Sequence, residues 1–280
     1  MKPDFSIITP SFNSLEFLQR ACASVRDQTD VNHEHIVVDA CSSDGTPEWL
    51  RENVQQSIIE RDDGMYDAIN KGMEIARGDY FAYLNCDEQY LPGTLARVKE
   101  CFEENPDVDI IYGDCLIIRC NGELLSYRRA YPLRYAYVAA WQLYIMTASI
   151  FYRRNVIDQG FRFDKRFRIS GDWEFLLQLL QNGHRCKRIK APLACFAITG
   201  KNLSGNKPQR ERELELQRTP AWAKWLRHPI NAARLVEKAL AGAYRRAPIR
   251  YECYTGTDLS WRSVQEVARP EHRWPAWDAT

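Results

Sequence analysis

An α/β fold with a mixed central sheet is what this 280-residue sequence predicts, and three observations predict it. Short apolar runs alternate with segments of helical period from residue 5 to residue 104, the pattern of a parallel sheet wound with helices. Polar and acidic residues follow the runs directly, at the carboxyl ends of strands, where ligands collect in such sheets. Beyond residue 110 the intervening helices thin out and an Asn-Gly turn appears, so antiparallel pairing joins the sheet.

In chain order, Phe5 to Thr9 is a β-rich run ended by Pro10, and Leu15, Leu18, Cys22 and Val25 then mark a helix over 15–28. His35 to Val38 is the second strand. The loop Asp39 to Thr46 leads into a helix that starts with Pro47 just after a Thr cap. Ser57 to Glu60 is a third strand, Met65 to Arg77 a helix closed by Gly78, and Tyr80 to Leu84 a fourth strand running into Asn85-Cys86-Asp87-Glu88. A helix over 95–104 precedes strands at 110–112 and 115–119, with Asn121-Gly122 as a hairpin turn. Trp173 to Asn182 is a helix closed by Gly183, and Leu193 to Ile198 a last apolar strand. The composition changes near residue 206, so a main domain over 1–205 divides into halves 1–112 and 113–205, followed by a helical appendage over 206–280.

A formal charge of +1 leaves no protein-wide field for nucleic acid. Nine cysteines without C-x-x-C pairs or Cys/His ligand spacing read as reduced thiols, which points to the cytosol. Tyr135 to Tyr152 is poor in charge, but its Tyr, Ala, Ser and Thr content favours a buried helix followed by a strand over a membrane span.

Three acids at element ends carry the chemistry, and each has an ordinary alternative. Asp39 either accepts a hydrogen bond from a nucleotide base or caps the Cys41 to Gly45 turn. Asp87 and Glu88, with Asn85 beside them, either offer hard oxygen ligands to Mg2+ or Mn2+ at a diphosphate or form a turn. Asp172, in Ser170-Gly171-Asp172-Trp173, is either a general base kept ionised by a helix N-terminus or a helix cap. Asp67, Asn70 and Lys71 share one helical face, for ribose and phosphate or for solvent.

Together the segments I-I-T-P-S-F-N (7–13), V-V-D-A-C-S-S-D-G-T (37–46), E-R-D-D-G-M-Y-D-A-I-N-K-G (60–72), G-D-Y-F-A-Y-L-N-C-D-E (78–88) and F-R-I-S-G-D-W-E-F-L-L (167–177) resemble the family 2 glycosyltransferases of bacterial surface-polysaccharide synthesis. The resemblance implies a GT-A (Rossmann-like) catalytic domain over 1–205, with a nucleotide-sugar half and an acceptor half. It further implies a divalent metal, Mn2+ or Mg2+, and an inverting displacement from a nucleotide-diphosphate sugar, UDP first, onto a saccharide or glycolipid hydroxyl. By family position, Thr9, Pro10, Asp39, Asp67, Lys71 and Asn85 serve the nucleotide, Asp87 the metal, and Asp172 is the base. This chain has N-C-D-E where the family usually has D-x-D, and Met146-Thr147 where related members often have His-Gln. The processive Q-x-x-R-W motif is missing, since Pro270 stands where Gln would precede Arg273-Trp274, so single-sugar transfer is expected.

A sugar-nucleotide nucleotidyltransferase is the rival enzyme class, but Pro10-Ser11-Phe12-Asn13 is not its Gly-rich basic loop; a non-catalytic nucleotide-sugar-binding protein is the third reading. In the appendage, Trp222, Trp225, Leu226, Ile230, Ala233, Val236, Leu240 and Tyr244 fall along one face, with Lys224, Arg227, Arg234, Lys238, Arg245 and Arg246 outside it. Such a helix suits the inner face of a membrane, packing on the catalytic domain, or a homodimer contact.

Overall fold

The computed structural model describes residues 2–200, 202 and 208–275. Strand β1 (Phe5–Ser11), helix α1 (Leu15–Arg26), β2 (His33–Asp39), α2 (Thr46–Asn53), β3 (Gln56–Ile59), α3 (Met65–Ile75) and β4 (Tyr80–Tyr83) form the expected alternating half. β1 lies in the middle of this half and pairs in parallel with β2 and β4, so every residue of it is buried. Helix α3 crosses close over β1 at Gly72, where a Cβ would stand 2.5 Å from Ile8 Cγ2.

The second half comprises β5 (Glu88–Tyr90), α4 (Thr94–Glu104), β6 (Ile110–Arg119), β7 (Leu124–Arg128), α5 (Tyr135–Ala140), β8 (Ile150–Arg153), α6 (Asn155–Asp158), α7 (Gly171–Gln181) and β9 (Cys186–Ile198). The sheet order is β3-β2-β1-β4-β8-β6-β9-β5, with β7 paired on β6. β8 is antiparallel to both β4 and β6, whereas β6 and β9 run parallel, which makes the sheet mixed. Its two faces each bury an apolar cluster, one under α3, α5 and α7 and one under α1 and α4.

Several elements differ from the sequence expectation. The two short strands around Gly113-Asp114 are one strand, β6, because the register shift beside Asp114 absorbs the polar residue without ending the ladder. Asp114 is held there by the Ala130 N–H at 2.8 Å and the Tyr127 hydroxyl at 3.1 Å. The chain turns at Cys86-Asp87, where the Glu88 N–H donates to the Asn85 carbonyl at 3.1 Å, yet does not leave the sheet. It continues as β5, antiparallel to β9. The segment 135–152 is a short helix, a 3-10 turn and β8, and no helix among the described residues is long and apolar enough to cross a membrane.

The appendage begins with helices α8 (Gln209–Arg218), α9 (Ala221–Trp225) and α10 (Arg227–Leu240), then adds an antiparallel hairpin of β10 (Ile249–Cys253) and β11 (Ser263–Val267) that alternation was too weak to announce. The hairpin is bound into the body: the Gln89 side chain exchanges two hydrogen bonds with the Tyr254 backbone, and Arg262 donates to both Asp27 oxygens at 2.7 Å. The stretch read as one amphipathic helix over 222–244 is α9 and α10, separated at Leu226.

Candidate active site

The carboxyl ends of β1, β2 and β4 bring Thr9-Pro10-Ser11, Asp39 and Asn85-Cys86-Asp87 to one edge of the sheet. Asp39 is fully buried, and both its oxygens are engaged by one residue: Ser42 donates its N–H at 2.8 Å and its hydroxyl at 2.6 Å. The turn-cap role is therefore realised. Each carboxylate oxygen keeps a second lone pair for another donor. The turn is tight enough to hold Cys41 at φ +59, and Asn13, also at positive φ, donates its N–H to Ser42 Oγ. Thr9 turns its hydroxyl sideways to His35 Nε2 at 2.9 Å and exposes no side-chain surface, and burial pushes His35 down to about 3, keeping it neutral. What Thr9 and Pro10 present to the site is backbone; the Pro10 carbonyl already accepts from Cys86 Sγ.

On α3 the three polar residues separate. Asn70 points away from the other two, clamping the Phe163 backbone with one donated and one accepted bond. Asp67 accepts from the Asp63 N–H at 3.0 Å, and Lys71 donates to the Arg61 carbonyl at 2.8 Å and pairs with Glu60 at 2.8 Å. Both thus fasten the loop 60–63. Lys165 lies 3.4 Å from Asp67, beside an open pocket of about 240 Å3 lined by Asp63, Lys165, Arg166, Arg168 and Arg210. Gly64 is required at this point, because it sits at φ +107 and a Cβ would run into the Arg168 guanidinium.

Between β4 and β5 two carboxyls stand next to each other, Glu88 buried and Asp87 partly so. Asp87 accepts from the Asn202 amide at 2.6 Å, and burial raises its pKa above the carboxylate range. Glu88 accepts from the Asn85 N–H at 2.7 Å; burial raises it too, and the Asp87 charge raises it further, with a smaller push from Asp172. Asn85 Oδ1 is buried and has no hydrogen-bond partner among the described residues. A cation would relieve all three conditions at once, and an acid, a second acid and a neutral oxygen are hard ligands of the kind Mg2+ and Mn2+ prefer. Among the described residues no group of three or more acidic, His or Cys side chains is arranged for a metal, so the remaining ligands would have to come from substrate phosphates and water, as is usual for Mg2+.

Asp172 occupies the first turn of α7, its Oδ1 accepting from the Trp173 N–H at 2.8 Å and lying 3.3 Å from the Tyr66 hydroxyl. Tyr66 reaches this position from the D-G-M-Y segment and also donates to the Ile169 carbonyl at 2.9 Å. Its ring packs so closely over Gly171 that a Cβ there would stand 2.6 Å from it. Glu211 of α8, itself buried, closes the loop from the other side: one oxygen accepts from the Ile169 N–H, the Ser170 N–H and the Ser170 hydroxyl at 2.6–2.9 Å. The Trp173 indole donates to the Val138 carbonyl of α5 at 2.8 Å.

Tyr66, Asn202 and Glu211 are the residues of this arrangement that sequence reasoning left without a role. Tyr66 stood inside a recognised segment, and an aromatic next to Asp67 could have been asked for a partner. Glu211 stands in a run of charged residues and gave no local signal.

The profile described as Glycosyl transferase family 2 matches residues 6–163. That range carries Thr9, Asp39, Asp67, Lys71, Asn85 and Asp87 and ends before Asp172. A Mycobacterium bovis protein named PGL/p-HBAD biosynthesis glycosyltransferase is 30% identical over 187 residues, covering 64% of this chain and 71% of the relative. The Rhizobium meliloti succinoglycan biosynthesis protein ExoO is 30% identical over 202 residues, covering 66% and 58%. The Bacillus subtilis protein named putative teichuronic acid biosynthesis glycosyltransferase TuaG is 35% identical over 109 residues, covering 37% and 43%. Among solved structures, Staphylococcus aureus TarS 1-349 in complex with UDP-GlcNAc aligns with a TM-score of 0.55 at 16% identity, over 76% of this chain and 61% of that one. The Pyrobaculum calidifontis mannosyltransferase PcManGT, in complex with GDP-Man and Mn2+, aligns with a TM-score of 0.55 at 18% identity, over 86% and 76%. These structures share the GT-A fold seen here. With the sheet edge, its ordered motifs and the family match spanning more than half of the sequence, the chain belongs to glycosyl transferase family 2 and is a glycosyltransferase.

Proposed function

We propose that the chain transfers one sugar, with inversion, from a UDP-sugar to a hydroxyl of a lipid-linked saccharide in the assembly of a bacterial surface polysaccharide. The observation that supports this reading is that Asp172, which meets the Tyr66 hydroxyl of α3, lies near enough to Glu88 for its charge to raise that carboxyl, beside Asp87 and a buried Asn85 Oδ1 with no partner among the described residues. A base and a diphosphate-binding edge then share one cleft. The names of the Mycobacterium bovis, Rhizobium and Bacillus relatives support the surface-glycan context, and TarS, bound to UDP-GlcNAc, supports the uridine donor.

In this mechanism Asp39 receives the base at the end of β2. Lys71 and the basic side chains near Lys165 face the diphosphate, and the backbone of Thr9 and Pro10 walls the nucleotide. Asp87, with Asn85 and Glu88 adjacent, would hold Mg2+ or Mn2+. There it would supply positive charge against the departing diphosphate. Asp172 accepts the proton of the acceptor hydroxyl while that oxygen attacks the anomeric carbon opposite the leaving group, which inverts the configuration. The N-terminus of α7 favours the ionised carboxylate this requires. Tyr66, Glu211 and Trp173 hold the base in place, so its geometry is set before substrate arrives.

The test is an assay with Mn2+, a panel of UDP- and GDP-sugars and a glycolipid acceptor. The expected result is nucleoside diphosphate release that depends on acceptor and metal. Pyrophosphate release instead, or donor binding without turnover on any acceptor, would overturn the reading.

A further inference from the structure

Helix α10 docks with its polar side inward. Arg234 is buried, donates to the Tyr131 hydroxyl and lies over the rings of Tyr131, Trp141 and Tyr144; Glu237 pairs with Arg134, and Lys238 lies 4.8 Å over the Tyr244 ring. The apolar side is left outside. Val236 is 60% exposed and Leu240 83%, and Trp225, at the end of α9, is 86% exposed, with Leu226 and Leu235 half open between them. A surface helix normally buries its apolar stripe, and scattered exposed apolar residues need no explanation, but a contiguous patch does.

The charge around the patch says what fits it. Residues 221–246 contain Lys224, Arg227, Arg234, Lys238, Arg245 and Arg246 against a single acid, Glu237, which is already paired to Arg134. Lys224, Arg227, His228, Arg245 and Arg246 are exposed on the same stretch, Arg227 lying 4.7 Å over the Trp141 ring and Arg246 paired with Glu271. Outward Trp and Leu ringed by basic side chains match the boundary between headgroups and acyl chains of an anionic bilayer. The patch is also coupled to the site. Ala223 of α9 is buried in the same cluster as Val138 of α5 and Trp173 of α7, and Trp222 packs on Tyr135.

We propose that the outward face of α9 and α10 docks on an anionic phospholipid surface through Trp225, Val236 and Leu240, with Lys224 and Arg227 contacting headgroups. This deepens the proposed function by supplying the surface on which a lipid-linked acceptor resides, and rests on that reading for its purpose alone. The experiment is flotation of the full chain with vesicles of phosphatidylcholine, or of phosphatidylcholine with phosphatidylglycerol, with light scattering on the free protein. Wild type should float with the anionic vesicles, and the double variant Val236→Glu, Leu240→Glu should bind about tenfold more weakly or worse. Its melting temperature, and its transfer to a soluble saccharide acceptor, should be unchanged. Wild type that stays in the soluble fraction with both vesicles, or a double variant that floats equally well, would overturn the proposal. So would a wild-type dimer that the double variant dissolves, since a second copy would then cover the face. Vesicle binding by a protein with no transfer activity on any acceptor would support the docking and sink the transfer reading instead.

Discussion

At the ends of β2 and β4 each turn has a closing bond from within, Asp39 with Ser42, Asp44 with Thr46, and Glu88 with Asn85, at separations of two or three residues, to which Asn13 and Asn202 add bonds from outside. The loop that carries Asp172 is closed from afar, by Glu211, 41 residues on, and by Tyr66, 106 residues back. The donor turns thus rest largely on bonds between near neighbours in the sequence, whereas the base loop rests on contacts that α3 and α8 make with the start of α7. Perturbation of the donor turns should act locally, and perturbation of the base loop should be felt in the chemical step.

The largest expected effect tests the far side of that contrast directly. Asp172→Asn should retain donor affinity in a binding titration and lose transfer by ~10³-fold, within the range of general-base catalysis. Near-wild-type turnover would remove Asp172 from the mechanism. Next comes Gly171→Ala, whose added methyl meets the Tyr66 ring; a stability loss of about 1–3 kcal/mol, read by denaturant melts, should accompany a fall in kcat.

Glu211→Ala leaves two backbone N–H groups and a hydroxyl at the start of α7 without their acceptor. We expect about a tenfold drop in kcat with donor KM unchanged, and substantial rescue by Glu211→Gln, which keeps one acceptor oxygen. Equal losses in the Ala and Gln variants would mean that α8 merely packs there.

The smallest effect lies on the donor side. Because burial, and for Glu88 the nearby Asp87, raises these carboxyls, the folded chain holds their protons more tightly than the unfolded chain. Their contribution to stability is present below the unfolded carboxyl range, near pH 4, and is lost as pH rises through the raised folded values. Glu88→Gln should therefore melt higher than wild type at pH 8, by on the order of 2–4 °C per kcal/mol of relieved repulsion, and not at pH 4. Mn2+ with UDP should narrow the gap.

The same contrast decides what the sequence could tell. The parallel half was legible because each of its signals is local: an apolar run, a cap, a Gly. The GT-A fold and the strand-end positions of Asp39 and Asp87 followed from those signals with the family resemblance. β5 was hidden because Asp87-Glu88 looks like a turn, and only its distant partner β9 makes it a strand. Glu211 and Asn202 act across folded space and leave no periodic trace. In α10 the period set Arg234 and Lys238 apart from Val236 and Leu240, but not the break at Leu226 nor the inward turn of Ile230, and it carries no information on which face docks; the aromatic set of Tyr131, Trp141 and Tyr144 draws Arg234 inward.

The central claim is that Asp172 activates an acceptor hydroxyl for one direct displacement at the strand-end site. The most direct measurement is the anomeric configuration of the newly formed linkage, read by NMR coupling constants on product made from a donor of known configuration. The account predicts inversion in every product molecule; a retained configuration would contradict it.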